Sequence, residues 1–395
     1  MGRSAVASAG LEDVRVRPRD PRALLGAHRG DDLTGPDTPV TPKALRGRGA
    51  VTNQSGRFEA EARAAVDDGW GSLGEIEALR TEVHTERPRA IITRNESPDI
   101  PFDRSINPYR GCEHGCIYCF ARPTHAYMGL SPGLDFETKL FVKDGAAQLL
   151  QRELSAPGYQ PRTIAIGTNT DPYQPIERTY RTMRSILEVL SAANHPVGIV
   201  TKSALVQRDI DILGPMAERG LAKVALSVTT LDPALARKME PRAASPEKRL
   251  ETIERLAEAG IPVGVMVAPV IPAINDEEIE TILTRAHARG AREAGYIALR
   301  LPHEARELFA EWLMQHYPGK ARHVLSLVRD MREGKLYDAT FGKRMSGTGP
   351  YAWMIGRRFE IAVEKIGFAK TRTRLRIDLF RPPAGQGQQL SLFQF

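Results

Sequence analysis

From about residue 102 onward the chain alternates short apolar runs with amphipathic stretches. Residues 163–166 (TIAI) are apolar and end in a Gly-Thr-Asn loop, which predicts a buried strand. Tyr180, Met183, Leu187 and Leu190 then recur at the spacing of one helix face. Residues 197–201 (VGIVT) predict the next strand, followed by a helix around 207–219. Residues 223–228 (KVALSV) predict another, with helical stretches at 233–239 and 246–259. A strand over 262–268, a helix over 276–289 and a strand over 296–299 continue the pattern. Such repetition predicts an α/β fold with a parallel sheet and helices packed outside it. Its length and unit count fit a partial (β/α)6 barrel with N- and C-terminal extensions. Chemistry is then expected on the loops that follow the strands' C-terminal ends.

The flanks read differently. Residues 302–335 carry Leu308, Trp312, Leu325 and Val328 and predict helix; a Gly-rich loop from 341 leads into a helix over 351–366. Residues 14–22 (VRVRPRDPR) are a charge run that cannot bury itself. The expected division is a disordered tail (1–45), an N-terminal arm (46–101), the barrel (102–301), a C-terminal helical extension (302–381) and a flexible tail (382–395). The most apolar run, Val263 to Ile274, is broken by Pro269 and Pro272 and is too short to cross a bilayer. Without a signal-peptide core at the N-terminus, a cytoplasmic location is expected.

Charge changes the picture modestly. A formal net charge of +7 and a pI near 9.3 favour a polyanionic partner, nucleic acid first, because Lys and Arg displace phosphate counterions. A basic soluble enzyme with no such partner fits the same numbers.

Cysteine usage changes it more. The chain has three cysteines, Cys112, Cys116 and Cys119, inside NPYRGCEHGCIYCFAR (107–122). An odd, tightly clustered set is no disulfide framework, so metal ligation or redox chemistry is expected. C-x3-C-x2-C spacing lets one loop wrap three irons of a [4Fe–4S] cluster. The fourth iron then has no protein ligand and is open to the amino and carboxylate groups of a methionine. A zinc site with His114 as fourth ligand is the alternative, although zinc usually draws ligands from two separated pairs.

This motif resembles the signature of the radical S-adenosylmethionine (SAM) superfamily, with Tyr118 as the aromatic before the last cysteine. The chain is more narrowly similar to the branch related to spore photoproduct lyase. GTNTDPYQPIE (167–177), TKS (201–203) and SVTT (227–230) match that branch, and the resemblance runs from about Gly47 to Phe368. It implies that Cys112, Cys116 and Cys119 bind the cluster. It further implies that Tyr118 packs on the adenine of SAM, that Thr170 and Asp171 contact its methionine end, that Lys202 pairs with the methionine carboxylate, and that Ser227 bonds the ribose. An ordinary turn at Asp171-Pro172 and a core hydroxyl at Ser227 remain the alternatives. The implied reaction is reductive cleavage of SAM to a 5′-deoxyadenosyl radical that attacks a substrate, a nucleic-acid lesion or modified base, with an electron donor as partner. An RNA- or small-molecule-modifying enzyme, or a non-catalytic iron–sulfur DNA-binding module, are the other readings.

One departure stands out. Thr168 occupies the place where the spore-lyase pattern carries a cysteine that returns hydrogen to the product radical. An O–H bond is far stronger than S–H, so Thr168 is no substitute; Tyr173 is the candidate donor. Two basic segments are also singled out. FGKRMSGTGPY (341–351) suits a phosphate-cradling loop or a plain connector, and KTRTRLR (370–376) predicts an edge strand with one cationic face. Finally, Gln389, Leu390, Leu392 and Phe393 form a QLSLF peptide that resembles those docking on the DNA sliding clamp. A tail tucked onto its own domain competes with that reading.

Overall fold

The computed structural model describes residues 45, 47–59 and 79–383. The expectations for residues 1–44 and for the Gln389–Phe393 peptide lie outside the described residues.

The described residues hold ten strands: β1 (Glu82–Glu86), β2 (Ile92–Arg94), β3 (Arg104–Ile106), β4 (Tyr109–Arg110), β5 (Lys139–Lys143), β6 (Ile164–Ile166), β7 (Val197–Thr201), β8 (Ala222–Ser227), β9 (Val263–Val270) and β10 (Glu293–Ala298). Six of them, β3 and β6 through β10, run parallel as neighbours in one sheet, and β2 pairs antiparallel to β3 at its edge. The edges β2 and β10 do not pair with each other, so the sheet is an unclosed half-barrel of six parallel strands. A small second sheet holds β1, β5 and β4 in that order.

Helices α1 (Asp135–Thr138), α2 (Ala146–Leu154), α3 (Glu177–Tyr180), α4 (Thr182–Ala192), α5 (Ile210–Glu218), α6 (Pro233–Met239), α7 (Pro246–Glu258), α8 (Ile279–Ala288), α9 (Ala305–His316), α10 (Pro318–Asp330) and α11 (Gly349–Ile366) complete the fold. Local chemistry sets their limits. Before α6, Asp232 accepts the Ala234 N–H at 2.7 Å and Pro233 opens the helix; Ser245 and Pro246 do the same for α7. Each such cap is worth about 1 kcal/mol. On α4, Met183, Ile186, Leu187 and Leu190 are all buried, at roughly 1.5–3 kcal/mol per side chain.

Three expectations need correction. The helix foreseen over 302–335 is two helices, because Pro318 has no N–H to continue α9 and instead begins α10. The last strand of the sheet starts at Glu293 rather than 296, its polar first residue hiding it. The edge strand foreseen at 370–376 is absent: this segment is irregular and pairs with no strand. It belongs to a strap over 369–383 that crosses the N-terminal ends of the sheet. Ala369 donates to Arg292 O, Arg376 to Gly220 O and Arg381 to Ala193 O, each at 2.9 Å.

Candidate functional site

The cysteine loop leaves β4 at the C-terminal end of the half-barrel and is bonded on every side. Cys112 N–H donates to Phe136 O, and Ile117 N–H to Met239 O, both at 3.0 Å. Gln174, wholly buried, accepts from Glu113 N–H at 2.9 Å and donates to Gly111 O at 3.1 Å. Arg122 donates from Nε to Cys116 O at 2.9 Å and from Nη2 to Gly115 O at 3.1 Å, while pairing with Glu137 at 2.5 Å. Both members of that ion pair are 0% exposed. Glu137 in turn accepts from the N–H groups of Gly49 and Ala50 at 3.0 and 2.8 Å, so residues 47–50 are tied to the same loop. Gly115 is required here: its φ is +66°, and a Cβ would meet Glu137 Oε2 at 2.8 Å.

Cys112 and Cys116 are buried and Cys119 is half-buried, and the charges of their neighbours in the loop act on the two buried thiols. Burial pushes the Cys112 thiol well up, with the charges of Asp171 and Cys116 adding to it, and an Asp171 N–H opposing. Burial likewise pushes Cys116 up to about 12, against the pull of the Lys202 ammonium. Two buried thiols that resist ionisation alone, with the half-buried Cys119 beside them, suit a ligand whose positive iron core stabilises thiolates. Among the described residues, no three His, Cys, Asp or Glu groups converge on a single-ion position. His114, the fourth ligand of the zinc alternative, is turned to Asp171, Nδ1 to Oδ2 at 3.4 Å. The donor set fits a [4Fe–4S] cluster and not a lone zinc ion.

Around this loop the resemblance placed five SAM contacts, and the structure sorts them. Thr170 donates its hydroxyl to Tyr109 O at 2.9 Å. The Asp171 carboxylate accepts from Thr201 Oγ1 at 2.7 Å, Lys202 N–H at 2.8 Å and Tyr173 N–H at 2.9 Å. Burial opposes its charge, yet His114 and these donors hold its pKa down to about 2. Both side chains are therefore occupied in joining β6, β7 and the cysteine loop. Lys202, by contrast, has no hydrogen-bond or ion-pair partner for Nζ among the described residues; the ammonium sits 5.7 Å from the Tyr118 ring centroid. Despite burial its pKa is raised, by the Cys116 thiolate and then by Glu240. Ser227, at the end of β8, is buried, and its carbonyl accepts from Arg249 at 3.0 Å while its hydroxyl has no partner among the described residues.

Sequence reasoning missed a buried quartet beside Tyr118. Its hydroxyl donates to Glu240, which also accepts from Thr229 at 2.5 Å and pairs with Arg249. Burial works against the Glu240 charge, but Arg249 and Lys202 bring its pKa down to about 2. No local signal announces this group, because its members come from four elements. Tyr173 was expected near the chemistry. It is 1% exposed in the main core, where burial first, and then the charges of Asp209 and Glu177, push its hydroxyl pKa up, and the hydroxyl has no hydrogen-bond partner among the described residues. Thr168 is half-buried at the end of β6 and accepts from Asn107 Nδ2 at 3.4 Å. Gly167 before it has φ +89°, and a Cβ would strike Val200 O at 2.0 Å.

Comparison with known proteins gives this loop its context. The model of the radical SAM superfamily matches residues 106–286, from the end of β3 into α8. The chain belongs to the radical SAM superfamily. Protein Rv2578c of Mycobacterium tuberculosis is 40% identical over 232 residues, 58% of this chain and 68% of that one. The radical SAM Nalpha-GlyT isomerase of Pseudomonas phage M6 is 23% identical over 308 residues, 70% of this chain and 62% of the isomerase. Spore photoproduct lyase with bound AdoMet and a dinucleoside spore photoproduct superposes with a TM-score of 0.52 at 17% identity. That match covers 75% of this chain and 86% of the lyase. Radical SAM enzymes use a [4Fe–4S] cluster and SAM, and this chain carries the matching donor set. No helix of the described residues is long and apolar enough to cross a membrane.

Proposed function

We propose that this radical SAM enzyme acts on a nucleic-acid lesion or modified base. The observation that carries the reading is the half-barrel shared with a lyase solved with a dinucleoside lesion, over three-quarters of this chain. When bound, the cluster supplies one electron that cleaves SAM to methionine and a 5′-deoxyadenosyl radical. Cys112, Cys116 and Cys119 would hold it. Lys202, the ammonium without a partner, would take the methionine carboxylate, and Ser227 the ribose. Thr170 and Asp171 would contribute by fixing the loop backbone, their side chains being engaged. Tyr118, tethered through its hydroxyl, would present its ring to the adenine. With Thr168 in place of a cysteine, hydrogen return differs from that of the lyases.

Anaerobic protein should bind about four irons per chain, and any one Cys→Ala change should abolish this. Under reduction, oligonucleotides carrying photolesions or modified thymines should raise 5′-deoxyadenosine above the no-substrate level. Spore photoproduct itself should turn over far less efficiently than in the lyases. Stimulation by RNA alone would move the substrate to the runner-up class, and absence of any SAM cleavage would leave only a cluster-bearing binding module. A cytoplasmic location and a one-electron donor complete the proposal, together with sliding-clamp docking through Gln389, Leu390, Leu392 and Phe393.

A further inference from the structure

The residue after the last cysteine, Phe120, is 40% exposed in a loop that is otherwise almost wholly buried. Over its ring, 4.8 Å from the centroid, lies the guanidinium carbon of Arg300. Arg300 stands two residues beyond β10, at the same C-terminal end of the sheet as the cysteine loop. Its charge is uncompensated. No carboxylate pairs with it among the described residues, Nη1 reaches only the Met345 sulfur at 3.5 Å, and Nε is buried without a partner. A second guanidinium, that of Arg332, is close enough for Arg300 to depress its pKa, burial being the larger cause. Arg332 spends its donors on Lys343 O and Leu299 O, both at 2.9 Å.

Next to this pair stands the Gly-rich loop beginning at Phe341. Ala298 N–H donates to Met345 O at 2.8 Å, which fastens the loop to the end of β10. Arg344 lies over the Phe341 ring at 4.7 Å, but Asp99 neutralises it with two hydrogen bonds of 2.6 and 2.7 Å. Phe341 is 53% exposed. Two arginine-backed phenyl rings thus flank the exit of β10, and only one of the two arginines has a carboxylate. A free guanidinium beside an exposed ring is the complement of a phosphodiester joined to a base.

We propose that Arg300 binds a backbone phosphate of the substrate strand and that Phe120 stacks the adjoining base. Resting on the nucleic-acid reading above, this makes the substrate a polymer held beside the reacting residue, not a free nucleoside.

The test uses the cluster-loaded enzyme and a fluorescein-labelled DNA hairpin with a single-stranded overhang, with binding read by anisotropy across a salt series. Arg300→Ala should weaken binding about tenfold and lower the salt slope by about one, the signature of one lost phosphate contact. Arg300→Lys should restore the slope, and Phe120→Leu should weaken binding with the slope unchanged. Iron content and far-UV circular dichroism of each variant check that the fold persists. Parental affinity and slope in Arg300→Ala would overturn this inference while leaving the nucleic-acid reading intact. A parent enzyme that binds no hairpin at all would overturn both.

Discussion

Lys202 and Asp171 show how far single residues could be read before the structure. The cysteines stood out because the motif is local: all three lie within eight residues, and the spacing alone suggests a cluster loop. The protein partners of Asp171 were not legible, because they come from His114 on one segment and from Thr201 and Lys202 on another. The two carboxylate-and-cation positions should therefore fail differently. Lys202→Ala removes a free ammonium and should raise the dissociation constant for SAM about tenfold or more, with iron content kept. Asp171→Asn leaves the Thr201 and backbone donors a weaker acceptor and should lower thermal stability and iron retention first. Equilibrium dialysis with labelled SAM, alongside iron assay of both variants, separates them; equal loss of affinity at constant iron would show that Asp171 contacts the cofactor directly.

Elements were legible where apolar runs were buried or half-buried throughout, as in β6 through β9, and obscure where they were solvated. β1, with most of its residues exposed, offers no period to read. The alternating cations of 370–376 fit a strand equally well, and only the tertiary contacts show a strap instead. Lys223 Nζ donates to Thr373 O at 2.9 Å, and Thr373 N–H to Glu293 at 2.7 Å. Further along, Phe380 of the strap packs edge-on against His195 at 5.4 Å and tilted against Tyr159 at 5.5 Å. Because Pro196 O can only accept, His195 carries its proton on Nδ1 and accepts from the Tyr159 hydroxyl at Nε2, 2.8 Å away. Burial holds this imidazole down to about 4. Above pH 6.5 it is neutral folded and unfolded alike, so it adds no pH dependence. Below 6.5 the unfolded chain takes up the proton and the fold does not, so stability falls from there to about pH 4, by roughly 3 kcal/mol at most. The urea midpoint should therefore drop between pH 6.5 and 4.5, and less steeply in His195→Gln. His125, also buried and held down to about 4, should supply a residual slope in both proteins. Identical slopes in parent and variant would exclude His195 as a source.

At the scale of the whole molecule, the strap gives the two ends of the half-barrel separate tasks. The cysteine loop, Lys202 and Ser227 occupy the C-terminal ends of the strands, where parallel sheets place their chemistry. The acceptors of the strap, Arg292, Gly220 and Ala193, precede β10, β8 and β7, so the strap runs across the opposite end. Its last described residue, Pro383, is fastened there by the Ser155 hydroxyl at 2.8 Å. The QLSLF peptide begins six residues beyond Pro383. A partner engaging it would therefore be tethered at the end of the barrel away from the cofactor loop. Extended chain of six residues reaches no further than about 20 Å, too short to leave the enzyme's own neighbourhood. A clamp encircling DNA would then hold the enzyme beside the duplex while the catalytic mouth stays open. Peptides of this kind bind at micromolar affinity, about 8 kcal/mol, most of it in anchors that fill pockets. A Leu392→Ala, Phe393→Ala double change should accordingly abolish binding of the intact protein to the bacterial sliding clamp in calorimetry. Its iron content and thermal midpoint should match the parent. A double variant that loses several degrees of thermal stability would show that these side chains pack on the enzyme itself, and intact parent protein that fails to bind the clamp would end the docking proposal outright.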